Sequence, residues 1–289
     1  MNYRHAFHAG NFADVLKHAV VARIVTHLKQ KETPFRVIDT HAGIARYDLA
    51  GDEASRTGEW RDGIGRLLGD DAEPLPADVA AVLEPYLAVV RDLNGGSGAL
   101  RIYPGSPLVA RRLMRPQDRL VVNELHPADH RALAGLFAKD RQTKVMELDA
   151  WVALKALLPP KERRGIVLID PPFEQPGEFD RLADGLVEAV KRFAVGQYVL
   201  WYPIKDPKPI AKFLHGLGRL GIDKLYRLEL MIRAPNDPTR LNGCGLVVLN
   251  PPHPVTQEMP RVMDVLAARL ALGSGAQGGA GWIVPERRS

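Results

Sequence analysis

Residues 165–176 read GIVLIDPPFEQP. Four apolar residues, Ile166 to Ile169, run into Asp170 and then into Pro171 and Pro172. Proline has no backbone N–H to give to a sheet, so a buried strand must stop here. Two prolines in succession also stiffen the residues after them. The result is a rigid corner carrying one acid, Asp170, and one ring, Phe173. Such a corner sets a hydrogen-bond acceptor beside a stacking face. The same chain supplies an internal control, VVLNPPH at 247–253. That segment has Asn-Pro-Pro after a strand-like run, but His253 replaces the aromatic ring, and we read it as structural.

The acid at 170 has company. Strand-like runs at 34–43, 118–125, 143–148 and 164–170 end at Asp39, Glu124, Asp149 and Asp170 or just before them. Acids are poor strand formers, so four successive strand ends with acids predict one polar mouth. In open α/β sheets a ligand binds beyond the carboxyl ends of the strands, and an acid after the second strand clamps ribose hydroxyls. Glu124 fits that role. The turn after the first strand, DTHAGIAR, has a single glycine and no G-x-G-x-x-G. A pyrophosphate needs several glycines for close approach, so the pattern suits a nucleoside ligand without phosphate, such as S-adenosylmethionine.

The elements that must position these groups follow from the hydrophobic pattern. Residues 11–31 predict a helix with Asn11 as N-cap and Asp14 in its first turn. Further strands are expected at 197–203, 223–232 and 244–250, with helical stretches between most runs. This alternation predicts a mainly parallel sheet with helices on both faces. The last two runs are joined by RAPNDPTRLNG, too short for a crossover helix, and predict an antiparallel pair at one edge. Residues 45–100 show short helices and no strong strand, and we expect a helical insertion there. The predicted organisation is an arm, first helix and first strand in 1–44, the insertion in 45–100 and the rest of the main domain in 101–289. The tail carries a Gly-rich piece and then an apolar WIV at 282–284 that can dock back.

Composition narrows the class. A formal charge of +5 permits a polyanionic partner without requiring one. A single cysteine, Cys244, excludes an internal disulfide and a cysteine-rich zinc site, which suits a reducing cytoplasm. Neither a signal-peptide core nor a membrane-length apolar run is evident, so no membrane association is expected. His5, His8, Asp14 and His18 are close enough in sequence to hold a metal. With no cysteine among them and no H-E-x-x-H helix, we expect no metal and read a polar wall around a ligand instead.

DPPF matches the D/N/S-P-P-aromatic signature of methyltransferases that act on amino groups. Together with YRHAFHAGNFADVLKH, DTHAGIARYDL, RTGEW, YPGSPLVAR, ELHP, RRGIVLIDPPFE, KRFAVGQYVLWYP and WIVPE, it resembles the bacterial 23S rRNA adenine-N6 methyltransferase J family. These segments extend from residue 3 to residue 286. The chain departs from the family at Phe173, where tyrosine is common, but the ring is kept.

The resemblance implies a class I, Rossmann-like methyltransferase fold with a seven-stranded, mainly parallel sheet, an antiparallel edge strand and a small helical insertion. It implies S-adenosylmethionine as cofactor, held by His18, His41, Ser106, Glu124, Asp149, Ala150 and Asp170, with Asp149 on the adenine amine. It implies a catalytic corner of Asp170, Pro171, Pro172 and Phe173 and places Tyr3 beside the target base of 23S rRNA. The rRNA would be free or in an early assembly particle, with no obligate protein partner. A DNA adenine methyltransferase would use the same corner but usually carries a separate target-reading region. A non-catalytic nucleic-acid-binding protein on this fold would not need an intact DPPF.

Some residues also have plainer readings. Lys17 fits a solvated helix face. Ser106 fits a helix N-cap. The cluster ARRLMR at 110–115 fits either a solvated face or a contact to RNA phosphate.

Overall fold

The computed structural model describes residues 4–96 and 99–287. After a short 3-10 turn at His5–Phe7, helix α1 spans Phe12–Leu28. The Asn11 side chain caps it by accepting from the N–H groups of Ala13 and Asp14. Strands β1 (Arg36–Asp39) and β2 (Arg46–Asp48) follow, then helices α2 (Asp52–Thr57), α3 (Glu59–Asp62), α4 (Gly65–Leu68) and α5 (Ala77–Leu93). Next come β3 (Ile102–Pro104), α6 (Ser106–Leu113), β4 (Arg119–Asn123), α7 (Pro127–Phe137), β5 (Thr143–Met146) and α8 (Ala150–Leu157). The chain continues through β6 (Gly165–Ile169), α9 (Glu178–Arg192), β7 (Gln197–Ile204), α10 (Pro207–Gly218) and β8 (Leu225–Met231). It ends with β9 (Gly243–Leu249), α11 (His253–Arg269) and β10 (Gln277–Val284).

The main sheet has the order β10-β8-β9-β7-β6-β1-β4-β5. The five strands from β5 to β7 are parallel, and β9, β8 and β10 join antiparallel to their neighbours. The fold class is the expected Rossmann-like one. The strand count is corrected from seven to eight, and the outer antiparallel edge is β10 rather than the β8–β9 pair. The docked WIV belongs to β10, and Trp282 packs edge-on against Tyr226 with ring centroids 5.0 Å apart. Strand alternation splits the core into two layers. Ile166 and Leu168 of β6 face the side packed by α1, α6 and α11, while Val167 and Ile169 face the side packed by α8, α9 and α10.

β9 runs against β7, so its end emerges at the edge of the sheet opposite Asp170. There Asn250 donates through its side-chain amide to the carbonyls of Ala194 and Gly196 at 2.8 Å each. The Asn-Pro-Pro segment is a structural clasp at the end of the sheet away from the polar mouth.

Within 45–100 the structure adds one strand that the pattern did not predict. β2 pairs antiparallel with β3, setting Tyr47 opposite Tyr103. Three residues are too few to show a period of two. α5 lies against α1, α6 and α11, so α1 is covered on the side away from the sheet as well. This accounts for a helix whose buried residues include Asp14, Lys17 and His18 beside its apolar ones.

The segment after α3 meets the chain before α1 backbone to backbone. Ile64 donates its N–H to the Gly10 carbonyl at 2.8 Å. A Cβ at Gly63 would lie 2.1 Å from that same carbonyl oxygen, so only glycine fits. Gly63→Ala should therefore cost about 1–3 kcal/mol by overpacking, read as a lower urea midpoint at unchanged slope. Wild-type stability in this variant would show that the two segments are not held in this contact.

Candidate active site

The carboxyl ends of β5, β4, β1 and β6 open into one cleft of about 700 Å³. Asp170, Pro171, Pro172, Phe173, His18, His41, Ser106, Glu124, Asp149 and Ala150 all line it, whereas Asp39 lies behind its wall. Tyr3 lies outside the described residues.

The corner is built at the end of β6, every residue of which is buried. Asp170 follows directly, and its Oδ2 lies 2.5 Å from Lys17 Nζ. Lys17 also meets Asp14 Oδ1 at 2.9 Å. Its exposure is 4 %, so the solvated-face reading is corrected. That reading failed because it assumed a free side on α1, and the insertion removes it. Burial pushes the Lys17 ammonium down, but Asp14 and Asp170 outweigh it and hold its pKa well above the usual value. Asp14 is itself fixed by His5 Nε2 at 2.9 Å and by the Gly10 N–H at 2.9 Å.

Phe173 adopts φ of 52°, a left-handed conformation that costs a non-glycine residue roughly 1–3 kcal/mol. Its ring is pinned edge-on by Phe179 at 4.9 Å and Trp201 at 5.8 Å between centroids. Pro171, Pro172 and Phe173 all line the cleft beside Asp170. Trp201, Pro203 and Leu241 line it too. The sequence reading missed all three. The only signal for them was their nearness to the ends of strand-like runs.

The other wall combines acids with neutral rings. Glu124 follows β4 and accepts from the N–H groups of Gly43 and His126, both at 2.8 Å. Burial raises its pKa, and these two donors act against the rise. Asp149 caps α8, its Oδ1 accepting from Trp151 and Val152 at 3.0 and 3.1 Å. Ala150, the first residue of α8, is buried next to it. Burial lowers the pKa of His41 to about 4 and that of His18 to about 3, so both rings are neutral near pH 7. His18 Nδ1 lies 2.8 Å from Tyr103 Oη, which lies 2.9 Å from Tyr86 Oη. Its Nε2 is buried with no hydrogen-bond partner among the described residues.

Ser106 is the first residue of α6 rather than its N-cap, which is Gly105. The Ser106 hydroxyl donates to Asp39 Oδ2 at 2.6 Å. In the ARRLMR cluster, Arg111 pairs with Asp140 and Arg115 with Asp118, which answers the question for those two. Among the described residues no group of three or more His, Cys, Asp or Glu is placed to hold a metal. Nor is any helix long and apolar enough to cross a membrane.

The chemistry of these groups suits a nucleoside that carries positive charge. Glu124 and Asp149 present carboxylates that no Lys or Arg neutralises among the described residues. The neutral imidazole of His18 leaves an unpartnered nitrogen. Among the described residues only two glycines, Gly43 and Gly105, line the cleft, and they form no glycine-rich cradle for phosphate.

Asp39 behind this wall carries a testable cost. Burial pushes its pKa up to about 6, against the pull of Ser106 and the His41 N–H. A folded-state pKa above the unfolded one means stability present at low pH and lost as pH rises through the folded value. Between pH 5 and pH 8 wild type should lose about 1–2 kcal/mol relative to Asp39→Asn, at 1.36 kcal/mol per pKa unit. Urea denaturation of both proteins across that range checks it, and a flat difference would overturn it.

Comparison with known proteins identifies the family. A family model described as ribosomal RNA large subunit methyltransferase D, RlmJ, matches residues 32–284. Over 286 residues the chain is 44% identical to ribosomal RNA large subunit methyltransferase J of Escherichia coli K12, covering 99% of this chain and 100% of that protein. The Haemophilus influenzae protein of the same name is 41% identical over the same coverage. The crystal structure of protein LPL1258 from Legionella pneumophila superposes with a TM-score of 0.84 at 32% identity, covering 95% of this chain and 97% of that one. On this match across nearly its whole length, the chain belongs to the ribosomal RNA large subunit methyltransferase J family.

Proposed function

We propose that this protein transfers a methyl group from S-adenosylmethionine to the N6 amine of one adenine in 23S rRNA. The observation that carries the reading is the corner at 170–173, opening into the same cleft as Glu124, with Asp170 held by Lys17. The bound cofactor supplies an electrophilic methyl on positive sulfur. In this reading Glu124 takes the ribose hydroxyls and Asp149 the adenine amine. His18, His41, Ser106 and Ala150 complete the cofactor wall.

The exocyclic amine of adenine is a poor nucleophile because its lone pair is delocalised into the ring. The protein's task is therefore to orient it. Lys17 holds one oxygen of Asp170, leaving Oδ1 to accept a hydrogen bond from N6–H. A carbonyl of Pro171 or Pro172 accepts the second hydrogen, in a geometry that the prolines fix at low entropic cost. Phe173 stacks on the base, worth roughly 1–3 kcal/mol. A paired base cannot reach the cleft, so the target is unpaired or flipped out. Free 23S rRNA or an early assembly particle in the cytoplasm meets that need, and no protein partner is required.

Asp170→Ala should abolish transfer and leave cofactor affinity within a few-fold of wild type. Near wild-type turnover in that variant would remove Asp170 from its role. Glu124→Ala should weaken S-adenosylmethionine by about 1.5–3 kcal/mol because a charged acceptor is removed. Calorimetry reads this directly, and an unchanged dissociation constant would place the ribose elsewhere. Incubation with labelled cofactor and naked rRNA, ribosomal subunits or DNA identifies the acceptor. Label in DNA alone would favour a DNA adenine methyltransferase.

A further inference from the structure

The two sides of the cleft treat positive charge differently. On the side of the arm and α1, three basic groups beside the cleft are engaged. Arg4 pairs with Glu53 and Asp129, His8 with Glu59, and Lys17 with Asp14 and Asp170. On the opposite side, beyond β7, four exposed cations make no ion pair among the described residues: Lys205, Lys208, Lys212 and Arg240. The acids nearest to them in sequence are occupied with turns. Asp206 accepts from the Lys208 N–H, and Asp237 accepts from the N–H and hydroxyl of Thr239.

These four cations sit on well-anchored backbone. Trp201, Pro203 and Lys205 alternate along β7 and its end, so all three point to one face, and all three line the cleft. Lys205 lines the same cleft as His8 on the arm. Buried Asn242 donates from its side chain to the carbonyls of Lys205 at 3.0 Å and Asp237 at 2.7 Å. Its own N–H goes to the Ile204 carbonyl at 2.9 Å. The loop bearing Arg240 is thus fastened beside Lys205, and Leu241 between them lines the cleft. Lys208 and Lys212 are four residues apart on α10 and share a helix face. Asp206 caps the N-terminus of α10, and no further acid stands in the first turn to pair with Lys208.

We propose that the RNA strand bearing the target adenine crosses the cleft over this rim, with Lys205, Lys208, Lys212 and Arg240 taking its phosphates. The proposal rests on the rRNA reading above and names the surface that would serve it. A base held at Phe173 and Trp201 leaves its sugar and phosphates at the mouth, where Lys205 is the next group along β7. Phosphate contacts carry affinity and register rather than sequence, so selection of the adenine stays with the corner.

The test combines Lys205→Ala, Lys208→Ala, Lys212→Ala and Arg240→Ala in one full-length variant. KM for rRNA should rise about tenfold or more at ~0.1 M salt, with kcat and S-adenosylmethionine affinity within about twofold of wild type. The slope of log KM against log salt should flatten by about 3, at roughly 0.7 for each single-strand phosphate no longer neutralised. Arg112→Ala, an exposed cation on α6, should change neither. A wild-type KM and salt slope in the fourfold variant, beside a wild type that labels rRNA, would overturn the rim while leaving the methyltransferase reading intact. An equal effect in Arg112→Ala would overturn it as well, because the role of charge would then be diffuse. A wild type that labels no rRNA would overturn the reading beneath it.

Discussion

An ammonium group buried between two carboxylates is the contact on which the rest of the site depends. Lys17 ties the first helix to the end of β6 through Asp170, and to the arm through Asp14 and His5. Removing charges from water costs several kcal/mol each, and only close, well-satisfied geometry offsets it. Here the compensation comes from three separate parts of the chain. The strand must end at Asp170, the helix must begin at Phe12, and the arm must return to Asp14. A shift of any one leaves charge buried and unpaired. The rigidity of the corner is thus a property of the whole domain and not only of its two prolines.

The remaining polar groups are sorted by burial. His18 and His41 are kept neutral by burial, while Lys17 keeps its charge through its partners. The cleft therefore combines imidazole nitrogens and carboxylates with a corner of one acid, two prolines and a ring. The chain of His18, Tyr103 and Tyr86 carries this order from the cleft into the insertion, so that β3 and α5 support the wall from behind.

Much of this was legible in the sequence because it depends on local pattern. Val- and Ile-rich runs mark the parallel strands, and the acids that follow them mark the mouth. DPPF could be told from NPPH because one follows a parallel strand and the other an antiparallel one. What was hidden depends on neighbours distant in the chain. Lys17 reads as a surface residue until α5 and the arm cover α1. Ser106 is one residue inside the helix it seemed to cap. β10 is only half legible, because WIV predicts a docked segment while Gly278, Gly279 and Gly281 before it hide the strand. A Cβ at Gly278 would lie 2.5 Å from the Met263 carbonyl oxygen, so the glycine allows α11 to close on the strand.

The sheet order also governs the birth of the molecule. β1 is the first strand to be synthesised, yet it ends in the middle of the sheet, and its two neighbours begin only at Arg119 and Gly165. During translation a strand destined for burial and a helix apolar on most sides must wait for partners still inside the ribosome. At the far edge, β10 pairs antiparallel with β8, which lies more than forty residues earlier in the chain. Such long-range pairing slows folding and leaves apolar surface exposed to aggregation meanwhile. The same order that sets Asp39 and Asp170 at the ends of adjacent strands at the mouth thus makes the centre of the sheet its least local part.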